Sequence, residues 1–143
     1  MNVLYTASAT AKGGRNGHVK SDDGTLDLAV SMPKSMGGPG TPGTNPEQLF
    51  AAGYSACFGS ALGLVARMRK IAVGDYHITA KVSIGAVDGG YSLAVELTGR
   101  FASLDRGQAQ ELMEMAHQVC PYSKATRGNI QVTLAVADAD SAA

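Results

Sequence analysis

Residues 47–70 constrain the fold of this chain more than any other stretch. Apolar or small side chains occur almost all round a helical projection of this run: Leu49, Phe50, Ala52, Ala56, Cys57, Ala61, Leu64, Val65 and Met68. A helix that shows no polar face until its last turn is predicted to be enclosed on all sides. Its start is well signalled. Asn45 suits the N-cap, Pro46 the first helical position and Gln48 the far corner of a capping box. Arg67, Arg69 and Lys70 suit the negative end of the helix dipole. Ala51, Ala52, Gly53, Ser55, Ala56, Gly59, Ser60 and Gly63 leave room for a second helix to approach closely.

The rest of the chain alternates in the manner of strands. Residues 3–9 carry Val3, Tyr5, Ala7 and Ala9 at every second position and read as a first strand, broken by Gly13-Gly14. Residues 15–20 and 25–32 flank the turn Asp22-Asp23-Gly24, a hairpin signal. Residues 33–44 are rich in glycine and proline and predict a long loop of the kind that often lines a site. A second hairpin joins 76–87 to 91–101 through Asp88-Gly89-Gly90. Asp105 and Gln108 open another helix running to about residue 119, and Cys120-Pro121 interrupts it because proline disfavours helical geometry in the residue before it. A short turn or helix over 122–127 leads to Gly128, and 130–136 reads as a last strand. Hairpin-rich antiparallel sheets around two main helices predict an α+β fold. The length, 143 residues, suits one domain over 1–143, with residues 137–143 expected to fray.

Charge narrows the function. The net charge is zero, 17% of residues are charged, and the basic residues Arg67, Arg69 and Lys70 form the largest cluster. Nucleic acid and anionic membrane are therefore not expected as partners. No apolar stretch approaches the ~20 residues of a membrane span, and the first residues lack a secretory pattern, so a cytoplasmic location is expected. Cys57 and Cys120 are too few for a zinc site by themselves, and His18, His77 and His117 show no ligand spacing with them. In a reducing compartment two cysteines point either to redox chemistry or to two unreactive buried thiols.

Both readings stay open on the residues alone. A cysteine among alanine, serine and glycine in a buried helix is often a small hydrophobe. Reactivity needs a thiolate, and Cys57 lies too deep in its helix for the N-terminal dipole to supply one, so a side-chain cation is required. Spacing along the chain cannot show that Cys57 and Cys120 meet. Arg15 after two glycines reads as a solvated hairpin charge, and Glu47 as a first-turn carboxylate. His117 reads as a core or helix-end histidine, and Arg127 as a partner for backbone carbonyls.

Long motifs change that balance. Thr6-Ala7, Ala9-Thr10-Ala11 and Gly13-Gly14-Arg15 open the chain. Thr44-Asn45-Pro46-Glu47-Gln48-Leu49-Phe50-Ala51-Ala52-Gly53-Tyr54 leads into Ala56-Cys57-Phe58. Ala116-His117, Val119-Cys120-Pro121-Tyr122-Ser123 and Ala125-Thr126-Arg127-Gly128-Asn129-Ile130 follow. Together they resemble, in register over almost the whole chain, the organic hydroperoxide resistance branch of the Ohr/OsmC family. The resemblance implies an intertwined homodimer and a cysteine-based peroxidase acting on alkyl and fatty-acid hydroperoxides. It makes Cys57 the attacking thiolate and Cys120 its disulfide partner. It makes Arg15 and Glu47 the charged pair that activates the thiolate. Leu49, Phe50, Phe58 and Met36 become candidates for an apolar substrate pocket. No bound cofactor or metal is implied; the external reductant would be dihydrolipoamide or a lipoylated protein. An OsmC-type enzyme of broader peroxide choice and a non-catalytic redox sensor are the alternatives.

Helix arithmetic adds one expectation. Glu47 and Cys57 are ten residues apart on one predicted helix, about 15 Å along its axis. A small site containing both is therefore expected to be composite, with Arg15 and Glu47 coming from the subunit opposite Cys57 across a two-fold axis.

Overall fold

Two sets of hairpins give the chain its architecture, and the computed structural model describes them over residues 1–138. The contacts divide it into an N-terminal unit, Met1–Leu49, and a C-terminal unit, Phe50–Ala143.

The N-terminal unit is a three-stranded antiparallel sheet ordered β1 (Ala9–Lys12), β2 (Gly17–Ser21), β3 (Asp27–Val30). The first strand starts where the sequence pattern expected it to end. Residues 3–7 alternate, yet Val3, Leu4 and Tyr5 are exposed and, among the described residues, have no strand beside them. Alternation marks a strand only where one face meets a core. The bend between β1 and β2 is glycine-built: Gly13 and Gly14 have positive φ, and a Cβ on Gly17 would strike the Lys12 carbonyl. Asn16 N–H closes the turn onto Gly13 O at 3.1 Å, which sets Arg15 at the tip. The glycine- and proline-rich segment carries one 3-10 turn, Lys34–Met36, and then returns to the sheet edge. There Ser31 N–H donates to Thr44 O and Thr44 N–H to Ala29 O, which delivers Asn45 beside β3.

The long helix, α1 (Pro46–Met68), starts as its sequence dictates, with Gln48 N–H donating to Asn45 Oδ1 at 2.8 Å. The Gln48 side chain accepts from the Thr44 hydroxyl instead of completing the capping box. The division between the units falls in this first turn. Only one stripe of α1 is buried, Tyr54, Phe58, Ala61, Leu62, Val65 and Ala66. Ala52, Ala56, Ser60, Leu64 and Met68 are exposed. Enclosure on all sides is thus not seen among the described residues, where the face carrying Ala52, Ala56 and Ser60 stays exposed. By length and composition α1 could also cross a membrane, contrary to the sequence expectation, since scattered serine and glycine hardly lower its average hydropathy. Its buried stripe instead forms part of the core of the C-terminal unit.

That unit is built on a hairpin of β4 (Tyr76–Val87) and β5 (Gly90–Phe101), twelve residues each, in full antiparallel register. Then come α2 (Arg106–Val119), α3 (Pro121–Thr126) and β6 (Gln131–Val136). Asp105 caps α2 by accepting from Gln108 N–H at 2.8 Å. The α+β class holds, but β6 lies parallel to β5. Two helices separate these strands, so no tight turn forces antiparallel pairing. β5 is central and points Val95, Leu97 and Phe101 into the core with Leu112 and Met113 of α2. A Cβ on Gly99 would come within 2.6 Å of Met113 Sδ, so glycine is what lets α2 settle on the sheet. At the end expected to fray, Ala137 N–H extends the ladder to Gly99 O and Asp138 pairs with Arg106; residues 139–143 lie outside the described residues.

Candidate active site

The C-terminal unit brings the two cysteines into contact. Cys120 caps the end of α2, its N–H donating to Ala116 O, and adopts extended geometry (φ −65°, ψ 125°) ahead of Pro121. Proline then begins α3 at the position where its missing N–H costs nothing. This corner turns the buried Cys120 thiol toward α1, where it donates to Cys57 Sγ at 3.6 Å. Both thiols are free.

Electrostatics at Cys57 are less favourable than the thiol contact suggests. Burial pushes the Cys57 thiol above its ordinary range, the Tyr122 backbone N–H pulls it down, and Cys120 raises it further. Among the described residues, none of these groups carries a positive charge. The surroundings are aromatic: Phe50 meets Tyr54 and Tyr122 edge-on at 6.0 and 6.2 Å, and Tyr54 meets Tyr122 at 5.6 Å. Tyr122 lies over Gly53, where a Cβ would come within 2.7 Å of its hydroxyl oxygen.

In the N-terminal unit the other two expected residues also meet. Arg15 donates from Nη1 to Glu47 Oε2 at 2.9 Å and from Nη2 to Glu47 Oε1 at 2.8 Å. The bidentate pair is largely shielded, with side chains 29% and 13% exposed. The Arg15 hydrogen bonds hold the Glu47 carboxyl below the usual carboxylate range against the opposing effect of burial. The same bonds to Glu47 raise the Arg15 guanidinium. Two of its five N–H donors are used, which leaves three for another partner.

The pocket candidates fall in both units. Phe58 is fully buried in the core of the C-terminal unit, and Phe50 packs against that core. Leu49 and Met36, in the N-terminal unit, are half-buried. Among the described residues no group of three or more His, Cys, Asp or Glu is placed to hold a metal ion.

Beside the thiol pair lies a polar cluster whose connections the sequence did not show. Tyr54 Oη lies 2.8 Å from Ser123 Oγ and 3.0 Å from Thr126 Oγ1, and His117 Nδ1 lies 2.8 Å from Ser123 Oγ. Arg127 holds the His117 carbonyl at 2.7 Å, the backbone role expected of it. Burial, then Arg127, lowers the His117 pKa below the ordinary imidazole range. All four residues stand in the motifs that carry the resemblance, but nothing in the sequence joins them to one another.

Known proteins agree with this architecture. The family model described as "OsmC-like protein" matches residues 37–135. The "Organic hydroperoxide resistance protein" of Xanthomonas axonopodis pv. citri is 52% identical over 94% of this chain and 96% of its own length. The "Organic hydroperoxide resistance protein OhrB" of Bacillus subtilis is 53% identical over 92% of this chain and 97% of its own. The crystal structure of that Bacillus protein superposes with a TM-score of 0.87, covering 94% of this chain and all of the other. That of an organic hydroperoxide resistance protein from Elizabethkingia anophelis does so at 0.89, with 56% identity over 96% and 99% of the two chains. The chain belongs to the OsmC-like family, within its organic hydroperoxide resistance branch.

Proposed function

We propose that this chain is a cysteine-based peroxidase that reduces organic hydroperoxides to alcohols. The observation that carries the reading is the 3.6 Å contact between the half-buried Cys57 and the fully buried Cys120. The names of its relatives support peroxide resistance as the setting. The Cys57 thiolate attacks the distal peroxide oxygen. The O–O bond breaks, the alkoxide takes a proton and leaves as the alcohol, and Cys57 is left as a sulfenic acid. Cys120 sulfur then attacks Cys57 sulfur. The S–O bond breaks, and the hydroxide leaves as water with the Cys120 proton. A dithiol, a dihydrolipoyl group free or protein-bound, reduces the disulfide by exchange and becomes a cyclic disulfide itself.

The missing cation is Arg15. Glu47 holds its guanidinium flat, and its three remaining donors stabilise both the thiolate and the charge that develops on the peroxide oxygens. The ten-residue spacing of Glu47 and Cys57 argues that the two come from different copies of the chain. A homodimer with antiparallel α1 helices supplies Arg15 and Glu47 of one protomer to Cys57 of its partner. The small residues on the exposed face of α1 suit that packing. Two free thiols also suit a cytoplasmic setting.

A coupled assay tests the function: turnover of tert-butyl hydroperoxide with dihydrolipoamide, compared with hydrogen peroxide and with dithiol-free controls. Sustained turnover that favours the organic peroxide is expected. A single oxidation that stalls despite the dithiol would mark a sensor instead, and equal rates for both peroxides would mark an enzyme of the broader type.

A further inference from the structure

Four polar side chains next to the thiol pair form a chain whose proton directions are fixed by counting. Thr126 Oγ1 donates its one proton to the Ser123 carbonyl at 3.2 Å. It must therefore accept from Tyr54 Oη. Tyr54, having donated, must accept from Ser123 Oγ, and Ser123 must accept from His117 Nδ1. The relay runs one way, from His117 through Ser123 and Tyr54 to Thr126, and it requires the Nδ1–H form of His117. Tyr54 and Ser123 are fully buried and Thr126 nearly so, so no water substitutes freely for a lost link.

The relay joins three elements where they meet at the cysteines. His117 lies in the last turn of α2, three residues before Cys120; Ser123 lies three residues after it, in α3; Tyr54 lies three residues before Cys57, in α1. At six residues α3 is too short to hold its own position, so anchors such as this one place it. We propose that Tyr54, Ser123, His117 and Thr126 are positioning residues that hold the Cys120 corner against α1, and that they set the rate of disulfide closure and not that of the first oxidation. The inference rests on the reading of Cys57 and Cys120 as the reactive pair.

Tyr54→Phe keeps the ring and removes the central link. In single-turnover experiments with tert-butyl hydroperoxide, two steps are followed: sulfenic acid by dimedone trapping at Cys57, and closure by loss of free thiols. The variant is expected to form sulfenic acid at the wild-type rate. Its closure is expected to slow roughly ten- to a hundredfold, the order that a misplacement of about 1 Å costs, and sulfinic acid then accumulates. Thr126→Ser, which preserves the link, should restore wild-type closure, and Thr126→Val should repeat the Tyr54→Phe defect and serves if that variant fails to fold. In the unmodified protein, nitrogen NMR should find the His117 proton on Nδ1. Closure at the wild-type rate in Tyr54→Phe or Thr126→Val, or a proton on Nε2 alone, overturns the proposal while leaving the peroxidase reading intact. Absence of any Cys57 oxidation by the peroxide in the wild type, as sulfenic acid or as the Cys57–Cys120 disulfide, overturns both.

Discussion

At the scale of single residues, the proposed chemistry comes down to how a half-buried sulfur is ionised and what waits beside it. Cys57→Ser is expected to abolish peroxide turnover in the coupled assay. Cys120→Ser should permit one oxidation and then let Cys57 climb to sulfinic acid, visible by mass as two added oxygens. The Arg15–Glu47 pair has its own pH signature. Because the Glu47 carboxyl lies below its unfolded value, it contributes stability above that unfolded value and loses it as pH falls through the folded one. Glu47→Gln should therefore lower the melting temperature at neutral pH, by the equivalent of about 1–2 kcal/mol for charge-assisted hydrogen bonds. The gap to wild type should close in acid; a gap that persists there would show the carboxylate is not what matters. Single residues were also the scale at which sequence reading was weakest. Arg15 and Glu47 lie 32 positions apart and look like ordinary surface charges, and only the family motifs joined them. Nothing about Tyr54 announced a hydroxyl bonded to residues 69 and 72 positions away.

Among elements, those whose signals are local were legible. The Asn45 and Asp105 caps, the Asp88-Gly89 turn and the Cys120-Pro121 break stand where the sequence placed them. Each depends on contacts only a few residues apart. Asp105→Ala should cost about 1 kcal/mol of stability by chemical denaturation, the usual worth of such a cap. What failed depends on distant partners. Residues 3–7 carry a strand pattern that, among the described residues, has no strand to pair with, and the direction of β6 is set by two intervening helices and not by a turn. α1 looked enclosed because composition records how apolar a helix is, while the number of its faces that find a partner is decided by tertiary structure.

For the whole molecule, the α+β fold follows from hairpins and helices that the sequence announces, while the catalytic assembly proposed above spans two chains. If Arg15 and Glu47 serve the opposite protomer, Cys57→Ser and Arg15→Ala chains, each inactive alone, should complement when mixed. A random mixture of dimers would regain about a quarter of wild-type activity, since only mixed dimers carry one intact site. No recovery after verified subunit exchange would place all four groups in one protomer. The most direct test of the central claim is the ionisation of Cys57 itself, followed by thiolate absorbance across pH in the assembled protein carrying Cys120→Ser. Burial alone pushes this thiol up. The account predicts that Arg15 reverses that push, so the sulfur is ionised at neutral pH and becomes protonated there in Arg15→Ala. A Cys57 that is fully protonated at neutral pH with Arg15 in place would contradict it.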